Sequence, residues 1–127
     1  MSALLWVAVA VLGGLGAVAR YLLDHAVTRR VGRAFPYGTM AVNVSGALLL
    51  GFLGGLALGP HAALLAGTAF VGAYTTFSTW MLETRLLGEN RRYWPAVANI
   101  VVSVGLGLAA AWLGQTIAGL TGGVSLA

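Results

Sequence analysis

Uncharged, mostly apolar runs take up almost all of this chain. No Asp, Glu, Lys or Arg occurs from Met1 to Ala19, from Ala34 to Leu82, or from Tyr93 to Ala127, and about 20 apolar residues suffice for a helix to cross a bilayer. The middle run is long enough for two crossings. Gly59-Pro60-His61 near its centre marks the place for a short hairpin turn, because proline cannot continue a helix. The pattern predicts four spans, Ala3 to Ala26, Tyr37 to Leu58, Ala62 to Leu86 and Tyr93 to Leu120. They make the chain a single all-α membrane domain over residues 1–127, with nothing left over for a soluble domain.

Composition agrees. Only 8% of the residues are charged and 59% are hydrophobic, against roughly 25% charged in a soluble domain, so lipid is the expected solvent. The apolar run at the N-terminus has no Lys or Arg ahead of it to form the n-region of a signal peptide, and it reads as a permanent first helix. Cysteine is absent, which removes disulfides and thiolate metal sites. The net charge of +4 comes from arginine alone, and in such a chain it reports topology rather than a nucleic-acid partner. Arg29, Arg30 and Arg33 follow the first span, and Arg85, Arg91 and Arg92 surround the connection between the third and fourth. These two connections share one side of the membrane. The N-terminus, the turn at Gly59-Pro60-His61 and the C-terminal tail share the other, and the positive-inside rule places both termini outside.

Glycine falls inside the spans at Gly13, Gly14, Gly16, Gly46, Gly51, Gly54, Gly55, Gly105 and Gly107. Gly51 and Gly55 form a GxxxG pair, and Ala41 with Ser45 or Gly105 with Ala109 repeat the spacing; small residues at this interval let membrane helices approach closely. Four short spans cannot enclose a polar pathway alone, so an oligomer is expected, most simply a dimer.

The most informative segment is Gly72-Ala73-Tyr74-Thr75-Thr76-Phe77-Ser78-Thr79-Trp80 in the third span. Hydroxyl and β-branched residues after a glycine weaken a helix, since they lose rotamer freedom and offer the backbone competing hydrogen bonds. Two readings stay open. Either the helix continues and its hydroxyls bond back to their own backbone, or it breaks and frees carbonyls, those of Gly72 and Thr75 among them, which a cation can satisfy. Phe77 and Trp80 at i, i+3 fall near one helical face, and Thr75 and Thr79 lie one turn apart. The aromatics either pack or present their positive ring edges to a small anion.

Asn43 carries two N–H donors into the second span, where an unpaired polar group is costly. It is either an interhelical hydrogen-bonding residue or an anion ligand, and Asn99 and Ser103, one turn apart on the fourth span, pose the same choice. Arg20 either snorkels or pairs with Asp24 four residues on, or else stands as a fixed charge at an aqueous vestibule. Glu83, His25 and His61 read as interface residues. The central thirds of the spans hold no Asp, Glu, His or Lys for a proton relay, and no nucleophile with a base, helical His pair or phosphate-cradling loop is present. An enzyme is not expected.

In three places and in order, the chain resembles the Fluc (CrcB) family of fluoride-specific ion channels. Gly13-Gly14-Leu15-Gly16-Ala17-Val18-Ala19-Arg20-Tyr21 resembles the first-span signature, Gly38-Thr39 through Asn43 to Gly46 the second, and Gly72 with Thr75-Thr76-Phe77-Ser78-Thr79 the third. The resemblance covers nearly the whole chain. It implies a multi-pass protein of the plasma membrane, an antiparallel dual-topology dimer with two fluoride pathways, a broken third helix, and a structural sodium bound by the backbone carbonyls of Gly72 and Thr75 from both chains. It further implies that Asn43 donates to fluoride, that Phe77 and Trp80 present ring edges, that Ser78, Thr79 and Glu83, and more loosely Ser103, belong to a polar track, and that Arg20 lies at a vestibule. Passive export would lower cytoplasmic fluoride and its toxicity.

Two departures stand out. Trp80 occupies the place where the family usually has a second phenylalanine, and the arginines all favour one side, whereas a chain inserting both ways should have balanced connections. The second departure raises a heterodimer with a second homologous chain beside the homodimer. The rivals are a small dual-topology multidrug-type exporter, which would need a mid-span carboxylate absent here, and a non-conducting assembly subunit.

Overall fold

The computed structural model describes residues 2–121 and is all-helical there, without strands. Helix α1 (Ala3–Val31) starts where the Ser2 hydroxyl accepts the Leu5 N–H at 3.2 Å, the bond of an N-capping serine. It runs past the expected end at Ala26 and stops at Gly32, whose φ of +82° suits glycine and whose N–H donates to the Thr28 carbonyl at 2.8 Å. Arg29 and Arg30 occupy its last turn, where cations complement the unpaired carbonyls. Helix α2 (Tyr37–Gly55) follows Pro36 and ends short of the expected Leu58, and α6 (Tyr93–Leu120) matches its expected bounds.

The segment expected as one span from Ala62 to Leu86 is several pieces. Pro60 opens α3 (Pro60–Ala63) from the first helical position; a π-helical stretch (Leu64–Val71) and the short α4 (Gly72–Tyr74) continue it. Thr75 then turns extended, at φ −85° and ψ 162°, and helix resumes only with α5 (Ser78–Glu89). Three helices, α1, α2 and α6, are therefore long and apolar enough to cross a membrane by themselves.

Helix α2 is the hub. It packs against α6, α1 and the π-helical stretch; α1 also covers that stretch and α4, while α5 rests on α6. The α2–α6 seam is built of glycine. A Cβ on Gly114 would strike the Leu48 carbonyl and lie 2.8 Å from the Phe52 nitrogen, and one on Gly55 would lie 2.7 Å from the Ala118 Cβ; Gly51 likewise abuts the Ala111 carbonyl. Backbones meet here because no side chain intervenes. Gly105, by contrast, has nothing within 4 Å. Large apolar residues face outward, among them Trp6, Val11 and Leu15 on α1 and Trp94, Val101 and Trp112 on α6. Small residues inside and large apolar ones outside is the inverse of a water-soluble bundle, and it suits a lipid solvent.

Arg92 donates from Nη1 to the Ala34 carbonyl, which ties the α5–α6 connection to the α1–α2 connection. The two arginine-bearing connections thus lie at one end of the bundle. The expected outward placement of the C-terminal tail concerns residues 122–127, outside the described residues.

Candidate functional site

The site is built where the helix stops. In an uninterrupted helix the Thr76 N–H would donate to the Gly72 carbonyl; here it donates to Asn43 Oδ1 at 2.8 Å, and Asn43 Nδ2 donates back to the Thr76 carbonyl at 2.8 Å. One amide side chain from α2 thus replaces the helical bonding of a residue 33 positions away. The Thr79 N–H, which would reach the Thr75 carbonyl, bonds instead to Thr76 Oγ1 at 3.2 Å, three residues back, as to a capping threonine. Both exchanges release carbonyls, those of Gly72 and Thr75. Polar side chains thereby take over backbone duties that water cannot perform in a low-dielectric setting.

Neighbouring contacts fix this arrangement. Gly46 on α2 has no room for a side chain, since its Cβ would meet the Thr75 methyl and lie 3.3 Å from the Tyr74 ring. Next to it in the chain, Ser45 shares a 2.8 Å hydrogen bond through its Oγ with the Tyr74 hydroxyl, and the Thr75 hydroxyl donates to the Val71 carbonyl at 3.0 Å. The last turn before the break is held by α2 from two sides.

A groove of about 280 Å³ opens beside the break, lined in part by Asn43, Thr75, Thr76, Phe77, Trp80 and Ser103. Phe77 is 69% exposed. Its ring meets Trp80 edge to face, with centroids 5.8 Å apart and planes at 85°, the arrangement favoured by the quadrupoles. Asn43 gives one of its two N–H groups to Thr76 and keeps the other at the groove. Ser103 is buried, and its hydroxyl has no partner among the described residues.

The structure therefore brings together Asn43, Thr75, Phe77, Trp80 and Ser103, with Gly72 exposed at the last helical turn before the break. Thr75 and Thr79 do not share a helical face, because the break separates them. Ser78 is exposed at the start of α5, and neither it nor Thr79 lines the groove. Glu83 lines a second cavity of about 390 Å³, with Asp24, Arg33 and Arg92, at the arginine-bearing end. Arg20 is half-buried on α1 and forms no ion pair with Asp24, whose carboxylate accepts instead from the Thr28 hydroxyl at 3.1 Å. The described residues contain no group of three His, Cys, Asp or Glu able to hold a metal ion through side chains. Sequence reasoning missed Thr76 and Thr84. A threonine just before the first turn of α5, three residues ahead of the N–H it accepts, is a capping signal that points to Thr76, whereas no local signal marks Thr84.

The family "CrcB-like protein, Camphor Resistance (CrcB)" matches residues 7–115 of this sequence. The chain belongs to the CrcB family. It is 64% identical over 118 residues to "Fluoride-specific ion channel FluC 2" of Mycobacterium bovis, covering 93% of this chain and 94% of that one. With the "FluC 2" protein of Mycolicibacterium paratuberculosis it shares 68% identity over 115 residues, 91% of this chain and 94% of the relative. "Fluoride-specific ion channel FluC 1" of Symbiobacterium thermophilum is 47% identical over 118 residues, 88% of this chain and 95% of that protein. Membership in this CrcB family and three helices suited to crossing a bilayer make the chain a multi-pass protein of the plasma membrane.

Proposed function

We propose that the chain is the subunit of a fluoride-specific channel that lets fluoride leave the cytoplasm passively and so limits its toxicity. The observation that carries this reading is the groove beside the break, where a spare amide N–H of Asn43 and the aromatic pair Phe77–Trp80 converge without a charged residue. Fluoride is small and strongly hydrated. Its passage needs donors enough to replace water and binding weak enough to permit exit. Neutral N–H and O–H donors and ring edges meet both demands, whereas an arginine in the groove would hold the ion. Asn43 and Ser103 donate, Phe77 and Trp80 turn ring edges to the anion, and Ser78, Thr79 and Glu83 extend the polar track. Arg20 concentrates anions at the vestibule.

The pathway is completed by a second chain in antiparallel orientation, which covers the exposed Phe77 and Gly72. The two pieces on either side of Thr75 together act as the third, broken span. The carbonyls of Gly72 and Thr75, released from helical bonding, are hard oxygen donors of the kind sodium takes, and they fit a structural sodium shared between chains. When bound, the ion supplies positive charge that satisfies those carbonyls at membrane depth. Assembly without sodium is expected to abolish fluoride flux, and unchanged flux under those conditions would count against the carbonyl site.

The one-sided arginines, Arg29, Arg30 and Arg33 beside Arg85, Arg91 and Arg92, favour insertion in one direction and so raise a heterodimer with a second homologous chain beside the homodimer. Efflux of fluoride from liposomes, with chloride as control, tests both levels. Selective flux from the chain alone establishes the homodimer; selective flux only after a second homologous chain is added establishes the heterodimer; no selective flux in either case overturns the channel.

A further inference from the structure

Trp80 offers the groove a ring whose N–H is already committed. Its Nε1 donates to the Asn99 carbonyl on α6 at 3.0 Å. The Asn99 side chain, in turn, donates from Nδ2 to Thr84 Oγ1 at 2.8 Å, and the Thr84 hydroxyl donates to the Trp80 carbonyl at 2.8 Å. Three residues close a circuit of three hydrogen bonds across α5 and α6. Asn99 is 1% exposed; its Nδ2 is bonded to Thr84 while its Oδ1 has no partner among the described residues, and the two bonds that meet at the Thr84 hydroxyl polarise and strengthen one another.

The circuit has a directional consequence. An indole turns about two side-chain torsions, and an N–H fixed at one edge determines which edge remains for the groove. Phenylalanine, with no N–H, could not be held this way. We propose, resting on the channel reading above, that Thr84 and Asn99 are positioning residues that set the orientation of Trp80 against Phe77 and thereby the preference of the groove for fluoride over larger anions. Neither residue lines the groove; both act through Trp80.

The test uses the full chain with Trp6→Phe, Trp94→Phe and Trp112→Phe, so that Trp80 is the sole tryptophan; the three replaced residues are outward-facing. Thr84→Val keeps the shape and removes the hydroxyl. It is expected to shift the Trp80 emission maximum, lower its anisotropy and reduce the fluoride-to-chloride flux ratio by about three- to tenfold, the scale of one lost hydrogen bond. Thr84→Ser should restore all three. With Trp80→Phe in the natural background, Thr84→Val should lose most of its effect on the flux ratio, since the N–H it helps to hold is gone. Unchanged emission in Thr84→Val, failure of Thr84→Ser to rescue, or an undiminished effect beside Trp80→Phe would overturn the proposal. If Thr84→Val does not assemble, Asn99→Asp, which replaces the donor amide at nearly constant size, must shift the Trp80 emission or the proposal fails. A parent protein that shows the emission response but no selective fluoride flux would refute the channel and leave the positioning of Trp80 by the circuit intact.

Discussion

The α2–α6 seam and the break at Thr75 solve the same problem in opposite ways. Both must satisfy backbone groups away from water. Along the seam each helix bonds to itself without interruption, and Gly51, Gly55 and Gly114 let the two backbones touch. At the break the backbone gives up its helical bonds, and the side chains of Asn43 and Thr76 replace them. The seam tolerates no added atom; the break tolerates no lost polar one. The first region holds two helices together, whereas the second leaves backbone carbonyls free for something other than the chain itself, which an uninterrupted helix cannot do.

Substitutions can separate the two regions. Asn43→Ala should have the largest effect. It strands both the N–H and the carbonyl of Thr76, at about 1–3 kcal/mol for each unsatisfied group, and should reduce both fluoride flux and resistance to unfolding in detergent. Gly114→Ala comes next. A methyl there improves helix propensity by about 1 kcal/mol, but it meets the backbone of Leu48 and Phe52, and overpacking against atoms that cannot rotate away costs about 1–3 kcal/mol. The balance is a loss of stability, read by the same unfolding titration, with ion preference unchanged in the protein that remains folded.

Phe77→Leu sharpens the contrast from the other side. The ring is largely exposed, so monomer stability should move by less than about 0.5 kcal/mol. The edge-to-face pair with Trp80 is lost, and fluoride flux should fall by about five- to tenfold, the kinetic equivalent of about 1 kcal/mol. Gly105→Ala should do least. With open space around it, the change is expected to stay within about 0.5 kcal/mol in unfolding; a large effect would mean that a partner chain packs there.

Much of this was legible in the sequence because it is encoded locally. Uncharged runs and Gly59-Pro60 marked the spans, the GxxxG spacing of Gly51 and Gly55 marked the seam, and the hydroxyl-rich stretch after Gly72 marked where helix is weak. Gly105 carried the same small-residue spacing and faces open space, since spacing cannot say which side of a helix meets a neighbour. The π-helical stretch from Leu64 to Val71 left no trace in composition either. The Asn43–Thr76 pair joins residues far apart in sequence, and the Trp80–Asn99–Thr84 circuit depends on how α5 lies on α6. Such long-range pairings are set by packing, which apolar periodicity specifies only coarsely.

The most direct test compares fluoride and chloride efflux from liposomes containing the assembled channel, with the natural chain and with Asn43→Ala. Fast fluoride efflux, slow chloride efflux and loss of at least about nine-tenths of the fluoride rate in Asn43→Ala, the scale of a stranded hydrogen-bonding group, is the predicted result. Equal passage of the two anions, or full fluoride efflux through Asn43→Ala, would contradict a pathway built on the break that Asn43 holds open.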